Sequence, residues 1–160
     1  MKDELKKLAE LGLGSRLNRL SGIVMKEIQL VYDRAGIDFD PYLFPIFKII
    51  TDSETVTNSY IQESLQYTQP AITQALNKLT DKSLISFKTD VNDKRKKLFY
   101  LTKKGREAHK RMVPLWKVMD TQVKELTTFT ADSLTAHISH LEGKLQEQAL
   151  STRILQNFQH

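Results

Sequence analysis

Apolar residues recur at helical spacing through the first quarter of the chain. Between about residues 15 and 35 they return every three or four positions, which predicts a long amphipathic helix. Gly36 comes directly after this pattern and is a suitable C-terminal stop. Gly12 and Gly14 are expected to separate the helix from a short amphipathic segment at the N-terminus. The positions that define the pattern are Leu13, Leu17, Leu20, Val24, Ile28 and Val31.

A second helix is predicted to begin at Asp40-Pro41, because aspartate suits the N-cap and proline the first helical position. Its apolar residues include Phe44 and Phe47. Pro45 complicates the prediction, since a proline inside a helix removes a hydrogen bond and crowds the preceding turn. Either the helix begins late or it is bent at this residue.

Two short helices and a hairpin are predicted next. Thr57 and Thr68 can each cap a short helix, and the second helix would run to about residue 79. Residues 84–87 favour a strand, 89–96 a loop and 97–101 a returning strand. The second short helix has its apolar residues on one face, at Ile72, Ala75, Leu76 and Leu79.

The rest of the chain is predicted to be helical. One helix should extend from Thr102 to about residue 126, with a kink near Pro114. A last helix should cover about residues 132–150. The predicted fold class is therefore mainly α with a small β-hairpin, in a single domain of 160 residues.

Composition adds two constraints to this fold. The chain has no cysteine, which excludes disulfides and thiolate metal sites. It has no apolar run near the ~20 residues of a membrane helix and no apolar signal segment, so we expect a cytoplasmic protein with no membrane partner. Residues 82–111 hold eleven Lys or Arg and only three acidic residues. Such a block indicates either a polyanion-binding surface or a solvated lysine-rich loop.

Two short helices followed by a hairpin are the pattern of a winged helix-turn-helix, whose second helix enters the DNA major groove. The residues opposite the apolar stripe are then offered to base edges, although a solvated polar face would look the same. No arginine lies between Thr68 and Lys82, so we expect a bias towards A·T base pairs where this helix touches DNA. The candidate contacts from this helix are Thr68, Gln69, Pro70, Thr73, Gln74, Asn77 and Lys78.

The loop between the two predicted strands carries the densest charge. Arg95 is the best candidate for insertion into the minor groove, because a guanidinium suits a narrow electronegative groove. Asp93 is expected to brace the loop by holding Arg95 or a nearby backbone N–H. The lysines that would contact phosphates without reading sequence are Lys94, Lys96 and Lys97.

This region resembles the MarR family of bacterial transcription regulators. The wing of that family carries an Asp-x-Arg motif and a strand that ends in Leu-Thr-x-x-Gly, which match 93–95 and 101–105 here. The resemblance implies a homodimer on a palindromic operator, with dimerisation helices at about 1–36 and 114–160 around a winged lobe at about 40–112. Two departures stand at Gln66 and Ser83, where the family commonly has small residues or glycine.

The resemblance also suggests a small aromatic effector, since family members often bind one between the helical body and the DNA-reading lobe. The alternative is that these aromatic residues simply form core. Candidate pocket residues are Met25, Phe44, Phe47 and Trp116.

His137 and His140, three residues apart, raise the alternative of a zinc-responsive regulator, although no cofactor or metal is expected. No nucleophile-and-base pair indicates an enzyme. We therefore expect a sequence-specific regulator of transcription that binds double-stranded DNA and acts as a repressor. The rival is a winged helix that contacts proteins, with the basic wing serving only solubility.

Overall fold

A computed structural model describes residues 3–128 and 131–157 and shows a mainly helical protein with one small sheet. The chain divides into two compact units, residues 1–112 and 113–160. Within the described ranges, no helix is long and apolar enough to cross a bilayer. The helices are α1 Glu4–Lys7, α2 Leu13–Arg34, α3 Phe44–Thr51, α4 Asn58–Leu65, α5 Gln69–Asp81, α6 Lys103–Thr127, α7 Leu134–Glu147 and α8 Leu150–Asn157. The strands are β1 Val56–Thr57, β2 Ile85–Thr89 and β3 Lys97–Leu101.

Helix α2 ends where the sequence predicts. Gly36 has a φ of +63°, a left-handed conformation that costs glycine little. The backbone then closes the helix end, since Gly36 N donates to Asp33 O at 3.1 Å and Ile37 N donates to Tyr32 O at 2.9 Å. At the other end, a short 3₁₀ turn over Ala9–Gly12 separates α1 from α2.

The question raised by Pro45 is resolved by a late start of the helix. Pro41–Leu43 forms a 3₁₀ turn, and Asp40 caps it by accepting a hydrogen bond from Tyr42 N at 3.0 Å. The α-helix α3 begins only at Phe44, so Pro45 lies in its first turn, where a missing N–H costs nothing.

The sheet has three antiparallel strands in the order β1-β3-β2. The hairpin of β2 and β3 was predicted, and β3 has the expected bounds. The two-residue strand β1 was not predicted; it pairs with β3 through Val56 opposite Phe99. Its second residue, Thr57, caps α4 as expected by accepting from Tyr60 N at 3.1 Å.

The core of the first unit lies between α2, α3, α5 and the sheet. An aromatic chain runs through it, with ring centroids of Tyr32 and Phe39 5.4 Å apart and those of Phe39 and Phe47 5.3 Å apart. The predicted apolar stripe of α5 is confirmed, because all four of its members are buried. This burial fixes the opposite face of α5 outward.

The second unit corrects one prediction. The helix predicted over about 132–150 is α7, which ends earlier, at Glu147, because Gln148 has an extended backbone; the following helix α8 was not predicted. Ser133 caps α7 by accepting from Ala136 N at 3.3 Å. Helix α6 runs as one helix from Lys103 to Thr127 with Pro114 inside it, and a kink there stays a prediction. No described residue of α7 or α8 is buried.

Candidate nucleic-acid interface

The turn between α4 and α5 depends on a strained backbone at Gln66. This residue has φ 53° and ψ 32°, and its N–H donates to Gln62 O at 2.8 Å. Thr68 occupies the N-cap position of α5 with the expected extended backbone, but its side chain makes no capping hydrogen bond. Pro70 stands two positions after the cap and removes one of the two usual donors, because proline has no N–H.

All residues that were predicted to contact DNA from α5 are exposed; α5 is called the recognition helix below because it is the second helix of the helix-turn-helix. The helical repeat places Pro70, Gln74 and Asn77 opposite the buried stripe, with Thr73 and Lys78 on the two flanks. Gln74 and Lys78 also border a small cleft beside the helix. The structure therefore brings five of the predicted side chains together on one accessible face: Pro70, Thr73, Gln74, Asn77 and Lys78. Thr68 and Gln69 are exposed but outside this face, because Thr68 precedes the helix and Gln69 lies beside the buried stripe.

Two aspartates hold the loop of the wing, residues 90–96, in one shape. The role of Asp90 was not predicted, although an aspartate often forms a turn by accepting from the backbone N–H two residues further on. Its Oδ1 accepts from Asn92 N at 2.7 Å and from Asp93 N at 3.2 Å. The backbone closes the loop, since Asp90 N donates to Lys96 O and Lys96 N donates to Asp93 O, both at 2.9 Å.

Asp93 makes both contacts that were expected of it. Its Oδ1 accepts from Arg95 N at 3.1 Å and from Arg95 Nε at 3.2 Å. These two hydrogen bonds, with the charge of Lys96 nearby, hold the pKa of Asp93 below its usual range. The Arg95 side chain remains 92% exposed, because the aspartate engages Nε and not the terminal nitrogens. The guanidinium is therefore oriented by the loop and still accessible to a partner.

The lysines of the wing are exposed, as predicted for phosphate contacts: Lys94, Lys96 and Lys97. Lys97 is also positioned, since its Nζ lies 4.0 Å from the centroid of the Phe87 ring. Phe87 in turn packs against Phe99 with ring centroids 5.8 Å apart. The base of the wing is thus anchored in the core, while its charged end faces outward.

The Leu-Thr-x-x-Gly motif joins the recognition helix, the sheet and α6. Thr102 Oγ1 donates to Ser83 O at 2.6 Å, and Thr102 N donates to Leu84 O at 3.1 Å. The same hydroxyl accepts from Gly105 N at 2.9 Å and so caps α6. Ser83, at the end of α5, has a φ of 56°. Both departures from the family pattern, Gln66 and Ser83, are therefore left-handed positions.

The predicted effector residues are distributed between different environments. Phe47 is fully buried in the core, and Phe44 is half-buried. Met25 is half-buried and lines a cleft of about 420 Å³ together with Leu30 and Tyr42. Trp116 is half-buried and belongs to the second unit. The effector pocket stays a prediction.

The histidines form no metal centre in the part of the chain that the structure describes. His137 and His140 are exposed on α7. Among residues 3–128 and 131–157, no group of three or more His, Cys, Asp or Glu is placed to hold a metal ion.

Comparison with solved structures shows which known folds this chain resembles. A mutant of Escherichia coli MarR in complex with operator DNA is 21% identical, with a TM-score of 0.63 and coverage of 90% of this chain and 99% of that one. A Mycobacterium tuberculosis regulator, MosR, in complex with DNA is 21% identical, with a TM-score of 0.67 and coverage of 83% and 95%. PcaV from Streptomyces coelicolor, in complex with its natural ligand, is 17% identical, with a TM-score of 0.64 and coverage of 88% and 94%.

Sequence comparison is more limited in extent. No curated protein matches the chain. Residues 43–97, from the turn before α3 to the first residue of β3, match the sequence model described as the MarR family. Over this segment, which spans the helix-turn-helix and most of the wing, the chain is similar to the MarR family.

Proposed function

We propose that this chain is a cytoplasmic regulator of transcription that binds double-stranded DNA in a sequence-specific manner, and not an enzyme. The observation that carries the proposal is the pairing of two accessible surfaces in the first unit. Helix α5 offers an exposed polar face, and the adjoining wing offers an exposed guanidinium that is oriented by Asp93. A winged helix contacts DNA with these two elements, the second helix in the major groove and the wing beside it.

The two surfaces would divide the work of recognition. Gln74 and Asn77 carry amides that can bond bidentately to adenine, and Thr73 can bond a base or a phosphate. Arg95 would enter the minor groove, and the wing lysines would release counterions from the phosphates. Sequence preference would then come mainly from α5, and most of the affinity from the wing.

We propose further that the protein acts as a homodimer on a palindromic operator. Helix α2 leaves a row of apolar side chains exposed, among them Leu13 at 48%, Leu17 at 42% and Leu20 at 45%. In α7 and α8, Leu141, Leu150 and Ile154 are also exposed. Exposed apolar surface of this extent marks an interaction site, and an isologous dimer would cover it. Two recognition helices would then reach successive major grooves about 34 Å apart.

The similar structures support this proposal. Two of them are complexes with DNA and one is a complex with a natural ligand. We propose by analogy that this chain acts as a repressor and that a small aromatic molecule releases it from DNA. Such a molecule must bind the dimer more tightly when its recognition helices are at a spacing that does not fit the operator. A molecule with equal affinity for both spacings would not shift the equilibrium between them.

Salt dependence of duplex binding tests the proposal. If the wing neutralises phosphates, the logarithm of the binding constant should fall linearly with the logarithm of salt concentration. Arg95→Ala should weaken binding roughly 5- to 150-fold, the range for loss of a groove-contacting arginine. Arg34→Ala, at an exposed arginine at the end of α2, is the matched control and should bind like the wild type.

Selection of bound duplexes from a random pool would test specificity. The expected result is a palindrome with half-sites one helical turn apart and A·T pairs under α5. Two results together would favour the rival in which the winged helix contacts proteins. Arg95→Ala would bind DNA as tightly as the wild type, and the selection would enrich no sequence.

A further inference from the structure

The loop that joins α2 to the 3₁₀ turn, residues 35–40, contacts the recognition helix through two ion pairs. Asp38 Oδ1 lies 2.5 Å from Lys82 Nζ, and Asp40 Oδ2 lies 3.4 Å from Lys78 Nζ. Lys78 is one of the cations expected to face DNA. The sequence gives no hint of these pairs, because the partners are 44 and 38 residues apart.

This loop is held firmly in place. Phe39 is only 2% exposed and lies between the rings of Tyr32 and Phe47. Arg111 Nη2 donates to Gly36 O at 3.1 Å. Asp40 uses its other oxygen to cap the 3₁₀ turn. The carboxylate of Asp40 is therefore fixed by the fold, whereas the long side chain of Lys78 is the flexible partner.

The two ion pairs differ in length and in position. The Lys82 hydrogen bond lowers the pKa of Asp38, and Lys82 stands at the C-terminal end of α5. The Asp40–Lys78 pair is longer, and half of the Lys78 side chain is exposed. Lys78 lies one turn after Gln74 on the same side of the helix. An exposed pair at this distance is weak enough for a phosphate to compete with it.

We propose that Asp40 is an intramolecular competitor for Lys78 that lowers the affinity of the recognition helix for DNA. The inference rests on the proposed function. A phosphate that approaches α5 must displace Lys78 from Asp40 or share it, and it also meets the negative charge of Asp40 itself. Both effects act against binding, so neutralising this carboxylate should tighten the complex.

Asp40→Asn isolates this effect from the structural role of the residue. Asparagine caps as well as aspartate and keeps an oxygen for the Tyr42 N–H. Exposed ion pairs contribute up to about 1 kcal/mol, which corresponds to a gain of about two- to fivefold in DNA affinity. The freed Lys78 should also make binding more sensitive to salt. The slope of the logarithm of the binding constant against the logarithm of salt concentration should steepen by up to about 0.9 for each added phosphate contact.

The experiment measures the affinity of the full chain for one duplex at several salt concentrations, for four variants. These are Asp40→Asn, Lys78→Gln, the double variant, and Asp33→Asn as the control for charge alone. Asp33 is exposed near the end of α2, and its carboxylate accepts from Gln29 Nε2 at 2.8 Å. We expect Asp40→Asn to bind more tightly than the wild type and more tightly than Asp33→Asn. We also expect the gain to disappear in the Lys78→Gln background.

Three results would overturn the inference: weaker or unchanged binding by Asp40→Asn, an equal gain in Asp33→Asn, or a gain that persists without Lys78. Weaker binding would mean that Asp40 positions Lys78 for DNA instead of competing for it. Failure of the proposed function would look different, because the wild type itself would then show no salt-dependent binding to duplex DNA.

Discussion

Gly105 is the position at which a single methyl group should do most damage to the DNA-reading unit. A Cβ built on Gly105 would overlap the carbonyl oxygen of Leu84 and lie 2.9 Å from its carbonyl carbon. It would also lie 3.2 Å from Leu101 Cδ2. The obstacle is backbone and not the end of a side chain, so no rotamer change can relieve it. In Gly105→Ala, the first turn of α6 must move away from the residue that leads into β2.

The magnitude follows from what that movement disturbs. The Leu84 carbonyl accepts from Thr102 N at 3.1 Å and from Thr102 Oγ1 at 3.2 Å. Weakening two such hydrogen bonds costs about 0.5–1.5 kcal/mol each. Overpacking of a close contact adds about 1–3 kcal/mol. We therefore expect a loss of roughly 4 kcal/mol, or about 8–16 °C in Tm for a chain of this size.

Thermal and urea unfolding, followed by circular dichroism, measure this loss. Gly22→Ala is the matched control, because Gly22 lies inside α2 and a Cβ there meets nothing within 4 Å. That variant should gain about 0.5–1 kcal/mol from the better helix propensity of alanine. If Gly105→Ala unfolds within about 0.5 kcal/mol of the wild type, the range of an ordinary surface substitution, the reasoning is wrong.

Two further predictions concern a strained backbone and a half-buried histidine. Gln66→Gly should raise the free energy of unfolding by about 0.5–1 kcal/mol, because relief of a left-handed conformation outweighs the added entropy of the unfolded chain. Gln62→Gly, at a helical position in α4, should instead lower the free energy of unfolding by about 1 kcal/mol. If urea titrations show that both variants change the free energy of unfolding in the same direction, the argument is contradicted. Burial, and then the charge of Lys48, lower the pKa of His109 from 6.5, with Asp52 opposing them. Below pH 6.5 the unfolded state, in which the histidine has its ordinary pKa, binds more protons than the folded state. The contribution of His109 to the free energy of unfolding is therefore complete above pH 6.5 and declines as pH falls through the lowered pKa. His109→Gln should show a smaller decline between neutral and mildly acidic pH, and an equal decline would refute this role.

The elements that the sequence predicts well are those defined by local pattern. The stripe of α5 follows from its spacing, β3 from its alternation, and the contact of Asp93 with Arg95 from a separation of two residues. Each of these features is determined by residues close in the chain.

The features that the sequence missed depend on contacts between distant residues. Strand β1 has only two residues and exists because it pairs with β3. The Asp40–Lys78 pair joins residues that helical periodicity cannot relate. The end of α7 at Gln148 has no glycine or proline that would predict it, so the apolar spacing over residues 132–150 predicted a helix that continues past this residue.

The recognition helix is constrained at both ends and along one side. The left-handed turn at Gln66 fixes its start, and the bond from Thr102 Oγ1 to Ser83 O fixes its end. The loop at 35–40 adds ion pairs from the end of α2. If α2 pairs with a second chain as proposed, this loop is a covalent and ionic connection from the dimer helix to the proposed DNA-binding face of α5. A displacement of α2 would therefore reach Lys78 through Asp40 without passing through the wing. Changes of charge in the loop at 35–40 should therefore alter both DNA affinity and the effect of α2 on α5. Substitutions in the wing loop, residues 90–96, should alter DNA affinity only.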